Sequence, residues 1–461
     1  MSVKVLGKFS LAMITVAAIV SLRNLPLSAE YGFSSIFYFI IAALIFFIPT
    51  AAVTAELAST WPKAGGSYAW VKEAFGPNWG LFTLWSAWME SIAWFPAILA
   101  FTAAMVAYMV EPFIPGAIES KSFIVCCILV IFWGATLLNF AGIKTSSYIS
   151  TIGVTLGTIF PAIVIVLLAV SWYLAGNKLQ IDVSWSSFIP EFKLDNIVIF
   201  SGILLSVSGV ELAAFHVGEA RDPQNDYPKA LAIASVIILT VYILGTLAIA
   251  IVVPQKDIQL ASGLLQAFDV FFTQFNLKNF SMIMALFLFI GSIAAINTWT
   301  VGPAKGMLVV AEDGFFPEWL KKTNKHDVPV ALLLLQVIIG SALTMLFLNY
   351  EGSSAIWMMI AVSSQFTMIQ YVMLFLAVIK LRKSKPEIVR GYKAPKLKLV
   401  TTIGIAACIF SFFIVYIPPS HFNFGSATVY RTILISILLL LMLPIISFRY
   451  YRKNNLQNKK Y

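Results

Sequence analysis

The sequence predicts an all-α polytopic membrane protein with about twelve transmembrane helices. Of its 461 residues, 60% are hydrophobic and only 11% are charged, whereas soluble domains carry about 25% charged residues. Apolar segments long enough to cross a hydrocarbon core of about 30 Å recur along the whole chain. Lysine and arginine are concentrated in alternate loops, which is typical of a membrane protein with a fixed orientation.

The apolar segments are too long for transmembrane strands, which need only about 9–11 residues. We predict one transmembrane domain over residues 1–461, without a separate soluble domain. The segment Ala261–Leu277 is too short and too polar to span and is predicted to be a helix covering the outer face. The predicted spans are approximately 5–29, 33–60, 79–110, 121–140, 147–174, 195–217, 229–254, 280–312, 330–349, 353–381, 397–417 and 428–448.

The positive charges predict the orientation. With a cytoplasmic N-terminus, most of the 31 lysines and arginines lie on inner loops or in the C-terminal tail. The outer segments then hold only Lys121, Lys178, Lys193, Lys256, Lys278 and Arg431. This distribution predicts a multi-pass protein of the cell (inner) membrane with both termini in the cytoplasm. The net charge of +10 is therefore attributed to orientation in the lipid bilayer, and no nucleic-acid partner is predicted.

Several classes of function are excluded by missing motifs. The sequence has no G-x-x-x-x-G-K-[ST] segment, which argues against ATP hydrolysis by this chain. It has no H-E-x-x-H segment, and its three histidines are scattered. We therefore predict no catalytic residue, no metal site, no cofactor and no enzymatic activity. Transport or conduction remains, with a non-transporting receptor as the other class.

The first apolar segment is interrupted by Ser21-Leu22-Arg23-Asn24-Leu25-Pro26. Proline removes a backbone donor and disfavours helix in the preceding residue. An arginine at bilayer depth costs about 2.5–3.5 kcal/mol on insertion scales, so its charge requires a partner or a function. This segment is predicted to break the first span.

The sixth apolar segment is interrupted by Ser208, Gly209, Val210 and Glu211. The first and sixth spans open the two halves of a five-plus-five arrangement, and interrupted helices at corresponding positions indicate a transporter binding site. Free N–H groups at a half-helix start suit a carboxylate, and free carbonyls at a half-helix end suit an ammonium group. An amino acid carries both groups, so the two breaks predict a shared polar chamber.

Three segments, Glu56–Pro77, Gly209–Ala230 and Val301–Val330, together resemble the amino acid–polyamine–organocation superfamily of transporters. Within it the chain is most similar to the bacterial glutamate/γ-aminobutyrate antiporters. The resemblance implies the leucine-transporter-type fold. Inverted repeats would cover about residues 5–174 and 195–381, and two extra helices would lie within about 397–448.

The resemblance also implies a substrate held between spans 1 and 6, surrounded by spans 3, 8 and 10, and exchange by alternating access. Two departures matter. The glycines that arginine exchangers carry before the span 1 proline are absent from Val20–Pro26. The tail after Phe448 is too short to form the C-terminal plug of glutamate/γ-aminobutyrate antiporters, which argues against acid gating of that kind.

The predicted substrate-binding residues are those of the two breaks together with polar or aromatic residues of spans 3, 8 and 10. They are Ser21, Arg23, Asn24, Glu90, Ser91, Ser208, Gly209, Val210, Glu211, Trp299, Thr367 and Tyr371. Trp299 and Glu211 are included because the resemblance implies a wall residue and a gate-coupling acid at these positions.

Arg23 and Glu90 are predicted to bind the two ends of a zwitterion, although a structural pairing of the two is also possible. Two gating residues are predicted. Glu30 follows Arg23 by two helical turns and is expected to pair with it as an outer gate. Leu205 occupies the place where the resemblance implies a gating residue.

We interpret the chain as a secondary amino-acid transporter, favouring an antiporter that exchanges a small amino acid for a related amino acid or its decarboxylated amine. Two alternatives remain open at this point, a proton-coupled amino-acid or polyamine uptake permease and a non-transporting amino-acid receptor. Proton coupling is suggested by the acids of spans 3 and 6. The partners expected are a small-molecule amino acid or amine, the bilayer and, within a homodimer, a second copy; a monomer is equally compatible.

Overall fold

The structure, a computed structural model, describes residues 7–62, 65–140, 153, 155–212 and 220–458. Within that part of the chain, ten helices are long and apolar enough to cross a membrane, and the bent pair Lys8–Ile19 and Leu22–Ala29 adds an eleventh. The prediction of an all-helical polytopic membrane protein is confirmed. The number of twelve spans and the inverted repeat stay predictions.

The described residues of the first half of the chain form seven helices. They are α1 Lys8–Ile19, α2 Leu22–Ala29, α3 Gly32–Thr60, α4 Ser67–Phe75, α5 Pro77–Val110, α6 Lys121–Asn139 and α7 Thr155–Leu174. Between α4 and α5 the chain turns at Gly76, whose φ of 91° is favoured only by glycine. Pro77 then begins α5, because a first-turn residue needs no backbone N–H.

The second half forms twelve helices of very different lengths among the described residues. They are α8 Trp185–Phe188, α9 Leu194–Ser206, α10 Pro223–Ala250, α11 Gly263–Gln274, α12 Phe280–Glu312, α13 Glu318–Lys321, α14 Val330–Thr344, α15 Leu346–Asn349, α16 Gly352–Ser384, α17 Leu397–Ile414, α18 Ala427–Met442 and α19 Pro444–Asn458. The predicted covering helix is α11. The predicted sixth span begins as α9, which ends at the expected interruption.

Some predictions fall outside the described residues. They concern the inner loop 141–146, the start of the predicted fifth span before residue 153, and the part of the sixth span at 213–217.

The core of the bundle is built around α5, which packs along α12 and α16. These neighbours make α5 and α16 the most buried of the candidate spans, whereas the span that includes α18 is the least buried. On the other side, α1 packs against α10, and α10 packs against α3. Because α9 also contacts α16, both interruptions lie beside long helices.

Helices α7 and α12 approach each other most closely at Gly157 and Gly291. A Cβ built on Gly157 would lie 2.1 Å from the backbone nitrogen of Gly291. Only residues without side chains permit such an approach, in which backbone packs directly on backbone.

Candidate functional site

The first interruption separates α1 from α2. Helix α1 ends at Ile19, Val20 and Ser21 are extended, and a tight turn over Leu22–Asn24 begins α2. The two helix axes differ by 45°. The first N–H groups of α2, those of Leu22 and Arg23, have no backbone acceptor within the described residues. The predicted break is therefore present, and it presents unused donors.

The second interruption follows α9. The helix ends at Ser206, and Gly209 has a φ of 106°, which is strained for any residue with a Cβ. The Ser208 hydroxyl donates back to the Leu205 carbonyl at 2.7 Å. The predicted break is thus confirmed up to Leu212, and the segment that follows lies outside the described residues.

The two interruptions meet at the hydroxyl of Tyr242, on α10. This oxygen accepts hydrogen bonds from the Ser21 N–H and the Asn24 side-chain amide, both at 3.2 Å. It also lies 2.7 Å from the Ile19 carbonyl and 2.9 Å from the Ser206 carbonyl. One side chain therefore contacts both broken helices. The shared polar chamber between them stays a prediction.

Arg23 points from the first break toward α5 and is only 5% exposed. Its guanidinium carbon lies 5.7 Å from the centre of the Trp94 ring, which is within cation–π range. Its Nε has no hydrogen-bond partner among the described residues. Trp94 in turn packs against Trp299 of α12, with 5.5 Å between the ring centres. Arg23 is thus a buried cation in an aromatic setting.

Glu90 lies one helical turn before Trp94 on α5 and is partly exposed. Its carboxylate has no hydrogen bond and no ion pair within the described part of the chain, although the charges of Arg23 and Glu211 act on it. Its backbone carbonyl accepts the Ser363 hydroxyl of α16 at 3.4 Å. The site therefore contains, near a buried arginine, a carboxylate that forms no hydrogen bond or ion pair with the described residues.

Glu211 is held by α16. One of its oxygens accepts the Gln370 amide at 3.0 Å, and the other accepts the Tyr371 hydroxyl. The same hydroxyl accepts the Gly209 N–H at 2.7 Å. Tyr227 of α10 donates to the Val210 carbonyl at 3.1 Å. These bonds fix the peptide that follows the second break.

Two other predicted residues form hydrogen bonds within their own helices. The Ser91 hydroxyl donates to the Trp88 carbonyl at 2.7 Å, and the Thr367 hydroxyl donates to the Ser363 carbonyl at 2.9 Å. Both side chains are buried. As described, neither presents an unused polar group to the chamber.

The predicted ion pair between Glu30 and Arg23 is not formed in the structure. Glu30 instead lies 3.2 Å from His421 Nε2, in the segment before α18. The expectation was wrong because residues 23 and 30 lie two turns apart, about 10 Å along the helix axis. Arg23 packs against Trp94, whereas Glu30 faces His421. Leu205 lies in the last turn of α9 and is buried.

A cavity of about 1170 Å³ lies at the predicted outer end of the bundle. Its wall includes Glu30, His421 and residues of α11 such as Leu265. Arg23 and Glu211 are not part of this wall. The structure therefore describes an outer vestibule that is separate from the two helix breaks.

Sequence reasoning missed Tyr242, Gln370 and His421. A signal exists for the first two, because a hydroxyl or amide in the middle of an apolar span must find a partner within the protein. Tyr242 follows nine apolar or weakly polar residues, Ile233–Val241. His421 lies in a loop and carries no comparable signal.

Comparison with known proteins decides the family. The sequence profile of the amino acid permease family matches residues 6–442. The chain belongs to the amino acid permease family. This permease is 40% identical over 445 residues to an uncharacterized transporter of Legionella pneumophila, with 95% of each chain covered.

Two further relatives carry named activities. A glutamate/γ-aminobutyrate antiporter of Lactococcus lactis is 27% identical to this permease, with 98% of this chain and 92% of the relative covered. A probable agmatine/putrescine antiporter of the same species is 22% identical, with 90% and 89% covered. The permease is therefore a multi-pass membrane transporter of the amino acid permease family.

The site has the chemical features that a small charged solute needs. Arg23 and the free N–H groups of α2 suit a carboxylate. Glu90 and the carbonyls at the helix ends suit an ammonium group. The Trp94–Trp299 pair provides an apolar and cation-tolerant surface beside Arg23.

Proposed function

We propose that this permease is a secondary active antiporter that exchanges a small amino acid for a related amino acid or its decarboxylated amine by alternating access. One observation carries the proposal. Two interrupted helices share the Tyr242 hydroxyl. Beside them lie a buried arginine and a carboxylate, and neither has an ion-pair partner among the described residues. Opposite charges held apart in this way are complementary to a zwitterion.

Arg23 serves as the carboxylate-binding group of this site. A buried guanidinium without a carboxylate partner is unfavourable, and a substrate carboxylate would provide that partner. Glu90 serves as the counterpart for the substrate ammonium. Because no described residue engages its carboxylate, it can change partner without first breaking an ion pair inside the protein.

The remaining predicted groups have supporting functions. Ser21 and Asn24 hold the first break through Tyr242. Trp299 packs against Trp94, the ring that Arg23 contacts, and serves as a wall residue. Glu211 holds the second break against α16. The permease moves solute without a chemical step. It lies in the cell (inner) membrane with both of its termini in the cytoplasm.

Counterflow in proteoliposomes tests the proposal. Purified permease would be reconstituted with internal glutamate, γ-aminobutyrate, arginine or lysine, and uptake of each labelled solute would be followed at pH 5 and pH 7. We expect uptake of at least one solute to depend on an internal counter-substrate. Absence of counterflow with every amino acid and amine, despite normal folding, would contradict the proposal.

Variants of Arg23 sharpen this test. We expect Arg23→Gln to reduce uptake of carboxylate-bearing substrates at least tenfold, since a charge-assisted hydrogen bond contributes about 1.5–3 kcal/mol. Uptake of an amine without a carboxylate should fall less. Arg431→Gln, on the exposed face of α18, is the matched control and should leave both activities unchanged.

Proton-coupled uptake is the second candidate function, because Glu90 is partly exposed and has no partner in the part of the chain that the structure describes. Its signature is uptake that needs a pH gradient and no internal solute. Glu90→Gln would then abolish dependence on the pH gradient. A receptor would instead show substrate-dependent thermal stabilisation without flux.

A further inference from the structure

The hydroxyl of Tyr242 has more neighbours than it can satisfy at one time. A phenolic hydroxyl has one proton to donate and two lone pairs to accept with. Ser21 and Asn24 use the lone pairs. The carbonyls of Ile19 and Ser206, at 2.7 Å and 2.9 Å, then compete for the single proton. At any moment one of these two carbonyls is without the tyrosine proton.

The carbonyl that lacks this proton is an unused acceptor in a water-poor part of the molecule. Leaving a buried acceptor unpaired costs about 1–3 kcal/mol, so a donor from outside is favoured there. An ammonium group has three N–H donors and fits this requirement. The two carbonyls belong to different broken helices, α1 and α9. The position of the one proton therefore links the hydrogen bonding of the two breaks.

We propose that Tyr242 is a positioning residue of the exchange site. Its one proton alternates between the Ile19 and Ser206 carbonyls, which couples the two helix breaks and presents the other carbonyl to the substrate ammonium. This inference rests on the proposed exchange function and goes beyond it, because it makes Tyr242 of α10 the residue that positions the carbonyls of both breaks, which act on the ammonium group together with Glu90. Tyr242 acts through these backbone groups.

The ring of Tyr242 is held independently of its hydroxyl. It is 1% exposed and stacks on Phe39 of α3, with 5.7 Å between the ring centres and 9° between the planes. Tyr242→Phe therefore removes the four hydroxyl contacts while keeping the apolar packing. The variant separates positioning of the breaks from simple support of the bundle.

Tyr430 provides a matched control. It is equally buried, and its hydroxyl donates to the Val415 carbonyl at 2.8 Å and accepts the Trp357 indole N–H at 3.0 Å. These contacts join α16, α17 and α18 and involve neither break. Tyr430→Phe therefore reports the effect of losing a buried hydroxyl elsewhere in the same bundle.

The experiment compares wild type, Tyr242→Phe and Tyr430→Phe in counterflow, using γ-aminobutyrate and its N,N,N-trimethyl analogue as probes. The analogue keeps the positive charge but has no N–H donor. Relative to wild type, we expect Tyr242→Phe to raise KM for γ-aminobutyrate about tenfold, because neither carbonyl is then held in position and the hydrogen bond from the ammonium group to it is lost. It should also reduce discrimination against the analogue. Tyr430→Phe should lower melting temperature without changing either quantity.

One outcome would overturn the inference. If both variants show the same KM and the same discrimination between the two probes, Tyr242 has only a structural role. If wild type exchanges other solutes but not γ-aminobutyrate, the same comparison is made with the best solute and its N-methylated analogue. If wild type exchanges nothing, the exchange function itself fails, which is a separate result.

Discussion

The hydroxyl of Tyr371 donates to the Glu211 carboxylate and accepts the Gly209 N–H at 2.7 Å. Gln370, the residue before it on α16, donates to the other Glu211 oxygen at 3.0 Å. The second break is therefore bonded to α16 through the Gly209 N–H and the Glu211 carboxylate. In an exchanger, this arrangement would make α9 and α16 respond together when the substrate site changes.

Substitution of Glu211 tests this link. Glu211→Gln has the same shape but replaces one of the two acceptor oxygens with an NH2 donor, so the present pair of bonds from Gln370 and Tyr371 to separate oxygens cannot be kept. We expect transport to fall at least tenfold and stability to decrease by about 1–3 kcal/mol, the cost of a buried group left unpaired. Counterflow and thermal unfolding in detergent measure the two effects.

The control for this variant is the reverse exchange, Gln336→Glu on α14. Gln336 is buried and accepts the Trp88 indole N–H, so the control adds a buried carboxylate where Glu211→Gln removes one. It should destabilise the protein without acting on either helix break. If Glu211→Gln transports normally, the link between the second break and α16 is not part of the transport cycle.

Glu56 forms a buried cluster at the end of α3. Its carboxylate accepts Arg382 Nε at 2.7 Å and the Ala394 N–H at 2.8 Å, and Arg390 Nε lies 3.3 Å away. We predict that Glu56→Ala lowers the free energy of unfolding by on the order of 3 kcal/mol, because it leaves buried guanidinium charge uncompensated. Thermal unfolding provides the measurement.

The ion pair between Glu191 and Lys193 is the exposed counterpart of this cluster, since both side chains are more than two-thirds exposed. Glu191→Ala should change stability by about 0–1 kcal/mol. Equal losses in the two variants would show that the Glu56 cluster contributes no more than an exposed pair.

The contact between Gly157 and Gly291 predicts a strong effect of one methyl group. In Gly291→Ala the new Cβ would lie 2.3 Å from the Gly157 carbonyl oxygen, so α7 and α12 must separate. We expect a loss of about 1–3 kcal/mol or more from overpacking, seen as a lower melting temperature. Gly134→Ala, in α6 with nothing within 4 Å, should be neutral or stabilising.

The pair of Glu30 and His421 lies outside the spanning helices and titrates. Burial raises the pKa of Glu30, and the hydrogen bond from His421 offsets this only in part. Burial lowers the pKa of His421, but its hydrogen bond with Glu30 and the charges of Glu30 and Asp195 outweigh this and raise its pKa overall. Other charged groups lining the same cavity are Lys193, Lys256, Asp257, Asp269 and Glu351.

Both shifts mean that the folded state holds protons to higher pH than the unfolded chain. Stability therefore falls as pH rises. The His421 contribution is complete below its ordinary pKa of about 6.5 and is lost as pH rises through the raised value. The Glu30 contribution is likewise complete below the ordinary pKa of the group and is lost as pH rises through its raised pKa. We expect the segment before α18 to lose protection from hydrogen exchange between pH 6 and pH 8, after correction for the intrinsic rate.

His421→Gln should remove this pH dependence. His326→Gln, an exposed histidine on the loop before α14, should retain it. Protection that is independent of pH in the wild type, or unchanged in His421→Gln, would show that the pair does not hold the loop.

Local chemistry made much of the architecture predictable. The hydropathy of each segment located the spans, so the predicted 79–110 corresponds to Pro77–Val110 and the predicted 353–381 to Gly352–Ser384. Pro26 and Gly209 marked the two interruptions, because proline and glycine act on their own backbone. The unpaired state of Glu90 was not predictable, since it depends on what surrounds the residue.

Hydropathy and backbone preference were enough to predict the class of protein, its spans and the two breaks, because both are properties of neighbouring residues. The packing of distant helices was needed to show that Tyr242 joins the breaks, that Glu211 bonds to residues 159 and 160 positions away, and that Glu30 faces His421. Helical periodicity indicates which residues share a face of a helix. It does not indicate which helix packs against that face, and hydrogen bonds between distant segments depend on that packing.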